Sequence, residues 1–213
     1  MSRSLITEET LPGALRELAA LDDDFARALE EVGPPPLRQR PSEFATLLRI
    51  IVAQQVSLAS AQAIWDRLEA ACQPLRPEVL LALEDEALRG AGLSRQKMSY
   101  SRSLAELLAS GALDLKALEE LDDEAAIAEI VKVKGLGRWS AECFLLFSLG
   151  RPDVWPVDDV GIMIGAQRLK NLKQRPDAKK LTRLGKAWRP WRSVAARMLW
   201  HYRGSAGIPD AKT

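Results

Sequence analysis

Apolar residues recur at intervals of three and four along most of this chain and almost nowhere alternate with a period of two, so the pattern predicts helices and no sheet. The first predicted helix covers 11–31. It ends before Pro34-Pro35-Pro36, because proline lacks the amide donor and cannot continue a helix. Ser42 and Glu43 stand where a cap belongs, ahead of one long apolar helix reaching about residue 70. Pro74 and Pro77 precede a helix ending at Leu88, and Gly90 and Gly92 interrupt the chain again. Amphipathic spacing returns over 95–109 and 123–132, with Asp122 or Asp123 as the cap of the second stretch. A helix over 139–149, a loop bounded by Pro152 and Pro156, and a helix from Asp158 follow. Pro176 leads to a helix over 178–186, and Pro190 opens the last one. An all-α domain built this way buries its stripes helix on helix.

One segment departs from simple helical punctuation. Gly135-Leu136-Gly137 sits between Val131 and Val133 on one side and Ala141 with Phe144-Leu145-Leu146-Phe147 on the other. Two glycines in three residues permit a tight turn and remove side chains that would keep a ligand off the backbone. The amides that open the next helix then face outward, and the positive end of its dipole attracts an anion, with Ser140 as a cap. Such a turn grips a phosphate and reads no base. By itself a Gly-x-Gly is most often an ordinary turn. Behind Pro156 comes Asp158-Asp159, which either caps the following helix or offers a carboxylate to chemistry near the gripped phosphate.

Composition narrows the setting. A chain of 213 residues with 47% hydrophobic content can bury one large core or two small ones. No apolar run is long enough to span a bilayer, and the segment MSRSLITEET has no apolar signal core, so a cytoplasmic protein is expected. Cys72 and Cys143 read as thiols rather than a disulfide, and with one histidine they cannot make an ordinary zinc site. The net charge of +1 decides nothing, but its distribution is uneven. Residues 161–213 hold thirteen Lys or Arg against Asp177 and Asp210, while residues 1–33 are acidic. The basic half is either a face for phosphates or a set of solvated helix surfaces.

Together GLGRWSA and WPVDD resemble the helix-hairpin-helix DNA glycosylases, in which a glycine hairpin is followed by a catalytic aspartate. The alkylation-repair branch, DNA-3-methyladenine glycosylase II, is the nearest pattern. Residues 49–61 (RIIVAQQVSLASA), 92–104 (GLSRQKMSYSRSL) and 188–200 (WRPWRSVAARMLW) resemble its other segments, in its order. The likeness covers roughly residues 40–205. It implies an all-α, two-lobed fold with a cleft between helical lobes. One lobe would join 1–56 to 157–213. The other would be 57–156, carrying the helix-hairpin-helix at about 126–148. Some relatives carry an extra N-terminal α/β domain, for which residues 1–40 are too few.

The resemblance also implies roles. Asp159 would be catalytic, stabilising the oxocarbenium-like sugar and positioning water, while Asp158 braces the helix start. Gly135, Leu136, Gly137, Arg138 and Ser140 would hold DNA phosphate. Trp139 stands where bifunctional relatives place a Schiff-base lysine, which implies hydrolysis without strand cleavage. Trp139, Trp200, Cys143 and Val160 would line the base pocket, Trp139 stacking on an electron-poor base. For both Trp139 and Trp200 core packing is the alternative, and it is the safer reading for Trp200, since Trp188 and Trp191 share its apolar stripe. Cys143 and Val160 replace tyrosines of some relatives. Gln55 matches the wedge that fills the gap left by the flipped nucleotide, or is an ordinary exposed helix residue; Gln54 and Ser57 read as structural. Backbone carbonyls of Val131, Val133 and Leu136 would hold Na+ or K+, and no cofactor is required for bond cleavage. Residues 188–213 contain no cysteine for the iron–sulfur cluster of other branches.

The expected function is thus a monofunctional glycosylase that flips and excises alkylated purines such as 3-methyladenine from double-stranded DNA, leaving an abasic site. It would be a monomer in a bacterial cytoplasm, at the nucleoid, with no membrane partner. The alternative is a non-catalytic helix-hairpin-helix DNA-binding protein. A helical interaction protein without a DNA role is a third class, and it predicts no salt-dependent DNA affinity.

Overall fold

A computed structural model describes residues 5–205. Among them are twelve α-helices and two short 3-10 turns, with no strand. The helices are α1 Leu11–Leu21, α2 Asp23–Val32, α3 Phe44–Ala53, α4 Leu58–Ala71, α5 Pro77–Ala82, α6 Asp85–Gly90, α7 Arg95–Ala109, α8 Asp123–Ile130, α9 Arg138–Phe147, α10 Val160–Leu169, α11 Ala178–Gly185 and α12 Arg192–Ser205. None is long and apolar enough to cross a membrane.

Three predicted helices are each two. The stretch 11–31 breaks at Asp22, whose side chain accepts from the Asp24 amide and caps α2. The stretch 43–70 breaks at 54–57, where Ser57 caps α4 through the Ser60 amide. The stretch ending at Leu88 divides at Leu83 and Glu84, both extended. Apolar periodicity runs through all three breaks, because both halves pack on the same core. Asp122, not Asp123, caps α8 through the Ala125 amide.

The chain forms two compact units, which divide at 39/40 and 144/145 rather than near 56 and 156. The earlier boundary moves because α3 packs on α4 and α7. The later one moves because Leu146 and Trp155 lie in the core that the chain ends share.

In the first unit, residues 5–39 and 145–205, α12 is the axis. The helices α1, α2 and α10 pack around it, burying Leu18, Phe25, Ile162, Val194 and Leu199. Gly165 permits the crossing of α10 and α12, since a Cβ there would stand 2.4 Å from the Leu199 carbonyl oxygen. Trp188 packs edge-on against Phe25 and Trp155 and donates its indole N–H to Asp22. Lys170 reaches the same Asp22 and, at 2.9 Å, Asp24.

In the second unit, residues 40–144, α7 is central and packs on α3, α5 and α6. Leu47, Leu48, Ile51, Leu68, Leu80, Leu88 and Leu104 are fully buried. Arg102 donates to the carbonyls of Leu81 and Leu83 and pairs with Asp85, which fastens α7 to the α5–α6 turn. Cys72 and Cys143 are buried, with no disulfide.

Candidate active site

The hairpin between α8 and α9 is a chain of tight backbone bonds. Val133 donates to Ile130, and Leu136 to Val133, both at 3.1 Å. Gly135 has φ +81°, and a Cβ there would fall 2.0 Å from the Tyr100 ring, so the angle and the close approach both demand glycine. Gly137 does different work. Its φ is not positive, and a Cβ there would meet nothing within 4 Å, so it keeps the outer face of the turn open to a ligand. The helical ladder starts with Ala141 donating to Gly137 at 3.1 Å. The amides of Arg138, Trp139 and Ser140 precede it and stand at the positive end of α9, an arrangement suited to one phosphate.

Two expectations for this turn change. Ser140 is not the cap: it is the third residue of α9 and its side chain is buried, so it can offer an anion only its amide. The Arg138 guanidinium is already engaged. It grips Glu124 of α8 through two bonds, at 2.8 and 2.6 Å, and Glu142 of α9 at 2.9 Å. The Glu124 bond is the main reason that the Arg138 pKa lies above its ordinary value and that the Glu124 carboxyl lies below its own. Arg138 thus braces the hairpin's two helices, with half of its side chain exposed.

Next to the hairpin lies the turn that splits the expected 43–70 helix. Gln55 sits there in the left-handed region, at φ +56°, and is exposed; it does not lie on a helix face. Val56 is exposed beside it, and Leu58, first residue of α4, is 90% exposed. This turn is mounted on the hairpin itself: Gln54 donates its side-chain amide to the Gly135 carbonyl at 2.8 Å. One side of α7 supports both. Lys97 donates to the Val52 carbonyl at 2.7 Å, Tyr100 fills the space under Gly135, and the Ser103 hydroxyl accepts from the Lys134 amide at 3.2 Å. Lys97 is buried, and that burial lowers its pKa.

Asp159 lies in the other unit, buried at the N-cap of α10. Its Oδ1 accepts from the Ile162 amide at 2.8 Å and from the Trp200 indole N–H at 2.8 Å. Trp200 is itself held by stacking on Phe147, with ring centroids 5.5 Å apart and 24° between planes. The Arg197 guanidinium covers the Phe147 ring at 4.8 Å and donates to the Leu146 carbonyl. Gly161 makes room for this arrangement, because a Cβ there would lie 2.9 Å from both Asp159 Oδ1 and Trp200 Cδ1. Asp158 was expected to brace the helix start; it is exposed, and Asp159 is the residue that caps. The N-cap falls one residue later than the Pro156 spacing implied, because α10 begins only at Val160.

The remaining expected positions divide between the units. Trp139 is 44% exposed on the first turn of α9, and buried Cys143 follows it one turn later on the same face. Val160, first residue of α10, is 52% exposed, and Trp200 is half-buried. No sequence expectation covered the Trp200 bond to Asp159, the Gln54 bond to Gly135 or the support given by Lys97 and Tyr100. One local signal for the first existed: Gly161 and Gly165 lie four apart within a helix, where glycine is costly unless something passes close by.

Known proteins resemble this chain in both sequence and fold. DNA-3-methyladenine glycosylase 1 of Schizosaccharomyces pombe is 32% identical over 190 residues, 86% of this chain and 83% of that one. The crystal structure of a DNA-3-methyladenine glycosidase from Bacillus halodurans superposes with a TM-score of 0.81 at 37% identity, covering 91% of this chain and 90% of the other. The S. pombe 3-methyladenine DNA glycosylase in complex with abasic DNA also gives 0.81, at 29% identity, over 94% of this chain and all of that one. Residues 48–190 match the HhH-GPD superfamily base excision DNA repair protein family, a stretch that includes the hairpin, its neighbouring turn and Asp159. With more than half of its length in that match, this chain belongs to the HhH-GPD superfamily.

Proposed function

We propose that this protein is a monofunctional DNA glycosylase that hydrolyses the N-glycosidic bond of alkylated purines such as 3-methyladenine in double-stranded DNA. The observation that carries this reading is the Asp159 carboxylate, held by a helix amide and an indole N–H on one oxygen. The bond to an alkylated purine breaks with little help, since the base leaves as a neutral molecule from a cationic precursor. What the reaction needs is a fixed negative charge beside the sugar as it becomes oxocarbenium-like, and a base for the attacking water. A carboxylate already ordered by two donors needs no reorganisation when that charge develops. The names of the relatives agree with this chemistry.

The other assignments follow from it. The amides after Gly137 hold a backbone phosphate, with Arg138 bracing them. Exposed Trp139 stacks on the extruded base and, lacking an amine, forms no Schiff base, so the strand is left intact around the abasic site. Cys143 stands one turn on from Trp139 on the same face, while Val160 and Trp200 belong to the unit that holds Asp159. Gln55, already outward in a strained turn, fills the space that the flipped nucleotide leaves. The hairpin also fits a monovalent cation. Among the described residues the carbonyls of Val131 and Leu136 accept no hydrogen bond, and that of Val133 accepts one. Na+ or K+ held there would add positive charge next to the phosphate. No cofactor enters the bond cleavage. The protein acts as a monomer on nucleoid DNA in a bacterial cytoplasm.

The test is release of free bases from methylated duplex DNA by the wild type and by Asp159→Asn. The expected result is 3-methyladenine released by the wild type alone, with strands intact until alkali cleaves the abasic sites. DNA binding without base release by the wild type would favour a non-catalytic hairpin protein instead. Equal release by both proteins would remove Asp159 from the mechanism.

A further inference from the structure

The cations of the C-terminal half are not equivalent once the fold is known. Lys170 is held by Asp22 and Asp24, and Arg189 and Arg192 by Asp153. Arg168 donates to the Arg203 carbonyl, and Arg197 to that of Leu146. Leaving aside Arg203, and Lys212, which lies outside the described residues, what remains is one contiguous group: Lys173, Arg175, Lys179, Lys180, Arg183 and Lys186. All are exposed except Lys180, which is half-buried, and none forms an ion pair among the described residues. The single carboxylate in that stretch, Asp177, is spent as the cap of α11, accepting from the Lys180 amide at 2.7 Å.

Three of these cations form a line. Lys179, Arg183 and Lys186 are spaced by four and three, so they share the outer face of α11 and the turn that follows it. They extend over roughly 10 Å, a length along which a duplex presents about six phosphates. The opposite face is pinned down. Leu181 is fully buried, its carbonyl accepts from the Trp155 indole at 3.1 Å, and Gly185 lies so close to Trp155 that a Cβ would fall 2.6 Å from Nε1. A seated helix that exposes three cations in a line, with a single carboxylate in the stretch and that one capping the helix, differs from an ordinary solvated surface, where opposite charges would be interspersed.

We propose that the outer face of α11, with the loop leading into it, is a second DNA-backbone surface, carried by the unit that holds Asp159 rather than by the hairpin. It rests on the glycosylase reading in that its ligand is duplex DNA. It touches phosphates only, so it binds undamaged duplex as well as damaged and supports the search for lesions rather than their recognition.

The experiment measures affinity for an undamaged duplex by fluorescence anisotropy across a series of salt concentrations. The triple variant Lys179→Gln, Arg183→Gln, Lys186→Gln is compared with wild type. A second triple, Arg16→Gln, Arg89→Gln, Lys116→Gln, changes the net charge equally at exposed cations elsewhere. The expected result is a log–log salt slope shallower by up to about 2.7 for the α11 triple alone, near 0.9 for each phosphate no longer neutralised. Lys179→Gln alone should lower it by about 0.9. Unchanged slopes in the α11 variants, or equal changes in both triples, overturn the proposal while leaving the glycosylase reading intact. A wild type with no salt-dependent duplex affinity overturns both.

Discussion

A carboxylate at a helix N-cap ordinarily serves the helix, and Asp159 does so through the Ile162 amide. The same oxygen also receives the Trp200 indole, which the helix does not need. The two tasks come apart on substitution. Asparagine caps about as well as aspartate, so Asp159→Asn should unfold within a few tenths of a kcal/mol of wild type. Its single-turnover excision should nevertheless fall by about 10²-fold or more, the range of a lost general base. Trp200→Phe keeps a ring to stack on Phe147 and removes only the N–H. A hydrogen bond to a charged group contributes about 1.5–3 kcal/mol, so base release should slow by roughly 10–100-fold. Rapid-quench assays on a methylated oligonucleotide measure both. A Trp200→Phe enzyme at the wild-type rate would reduce Trp200 to packing. That bond was not legible in the sequence, because its partners lie 41 residues apart and nothing local marks an indole as a donor to a particular acid.

Among the elements, α7 sets the geometry of the hairpin and its neighbouring turn, although its own surface carries none of the expected site residues. Its positions 95–109 are plain in the sequence, since an amphipathic stripe with Ser94 as cap is a local property. What it supports was not legible. The Gln54 amide meets Gly135 across 81 residues, and the break at 54–57 hides inside an unbroken apolar stripe. Arg138 shows the same limit from the other side. A cation beside a glycine turn reads as a phosphate ligand, and its bracing by Glu124 and Glu142 cannot be seen in the sequence. Arg138→Gln should therefore loosen α8 against α9, costing about 1–2 kcal/mol, much of it from Glu142, which is buried, while the exposed Glu124 arm contributes little. The pH dependence has a definite sign. The Glu124 carboxyl is held below its ordinary range by Arg138, so its share of stability is present at neutral pH. It is lost as the pH falls below the ordinary carboxylate range and through the lowered value. Because Glu124 is exposed the loss is small, so the pH 7 and pH 4 stabilities of the wild type should differ slightly more in urea unfolding than those of Arg138→Gln. Equal pH dependence in the two proteins would separate Arg138 from Glu124.

At the scale of the whole molecule, the first unit is assembled from the two ends of the chain, and its polar centre is the group that joins them. Lys170 of α10 meets Asp22 and Asp24 at the start of α2, and Trp188 adds its indole to Asp22. The uneven charge seen in the sequence, acidic at one end and basic at the other, is partly explained here, because some of those charges face one another. Burial works most strongly against ionised Asp24, but the hydrogen bonds from Lys170 and Arg27 outweigh it and the pKa is lowered. Its contribution is therefore complete above the ordinary carboxylate range and fades as the pH falls through the lowered value. Lys170→Met removes the cation from acids whose side chains are only 12% and 28% exposed. Leaving them without it should cost about 3 kcal/mol at pH 7, the low end for a buried pair because Asp24 keeps Arg27 and Asp22 keeps the Trp188 indole. Protonation of Asp24 in acid relieves the variant and harms the wild type, so the two stabilities should converge as the pH falls. Denaturant midpoints across a pH series would show that convergence. A gap that stays constant with pH would mean that Lys170, whose Nζ stands 6.0 Å from the Trp188 ring centroid, acts through the packing of its alkyl chain and not through its charge.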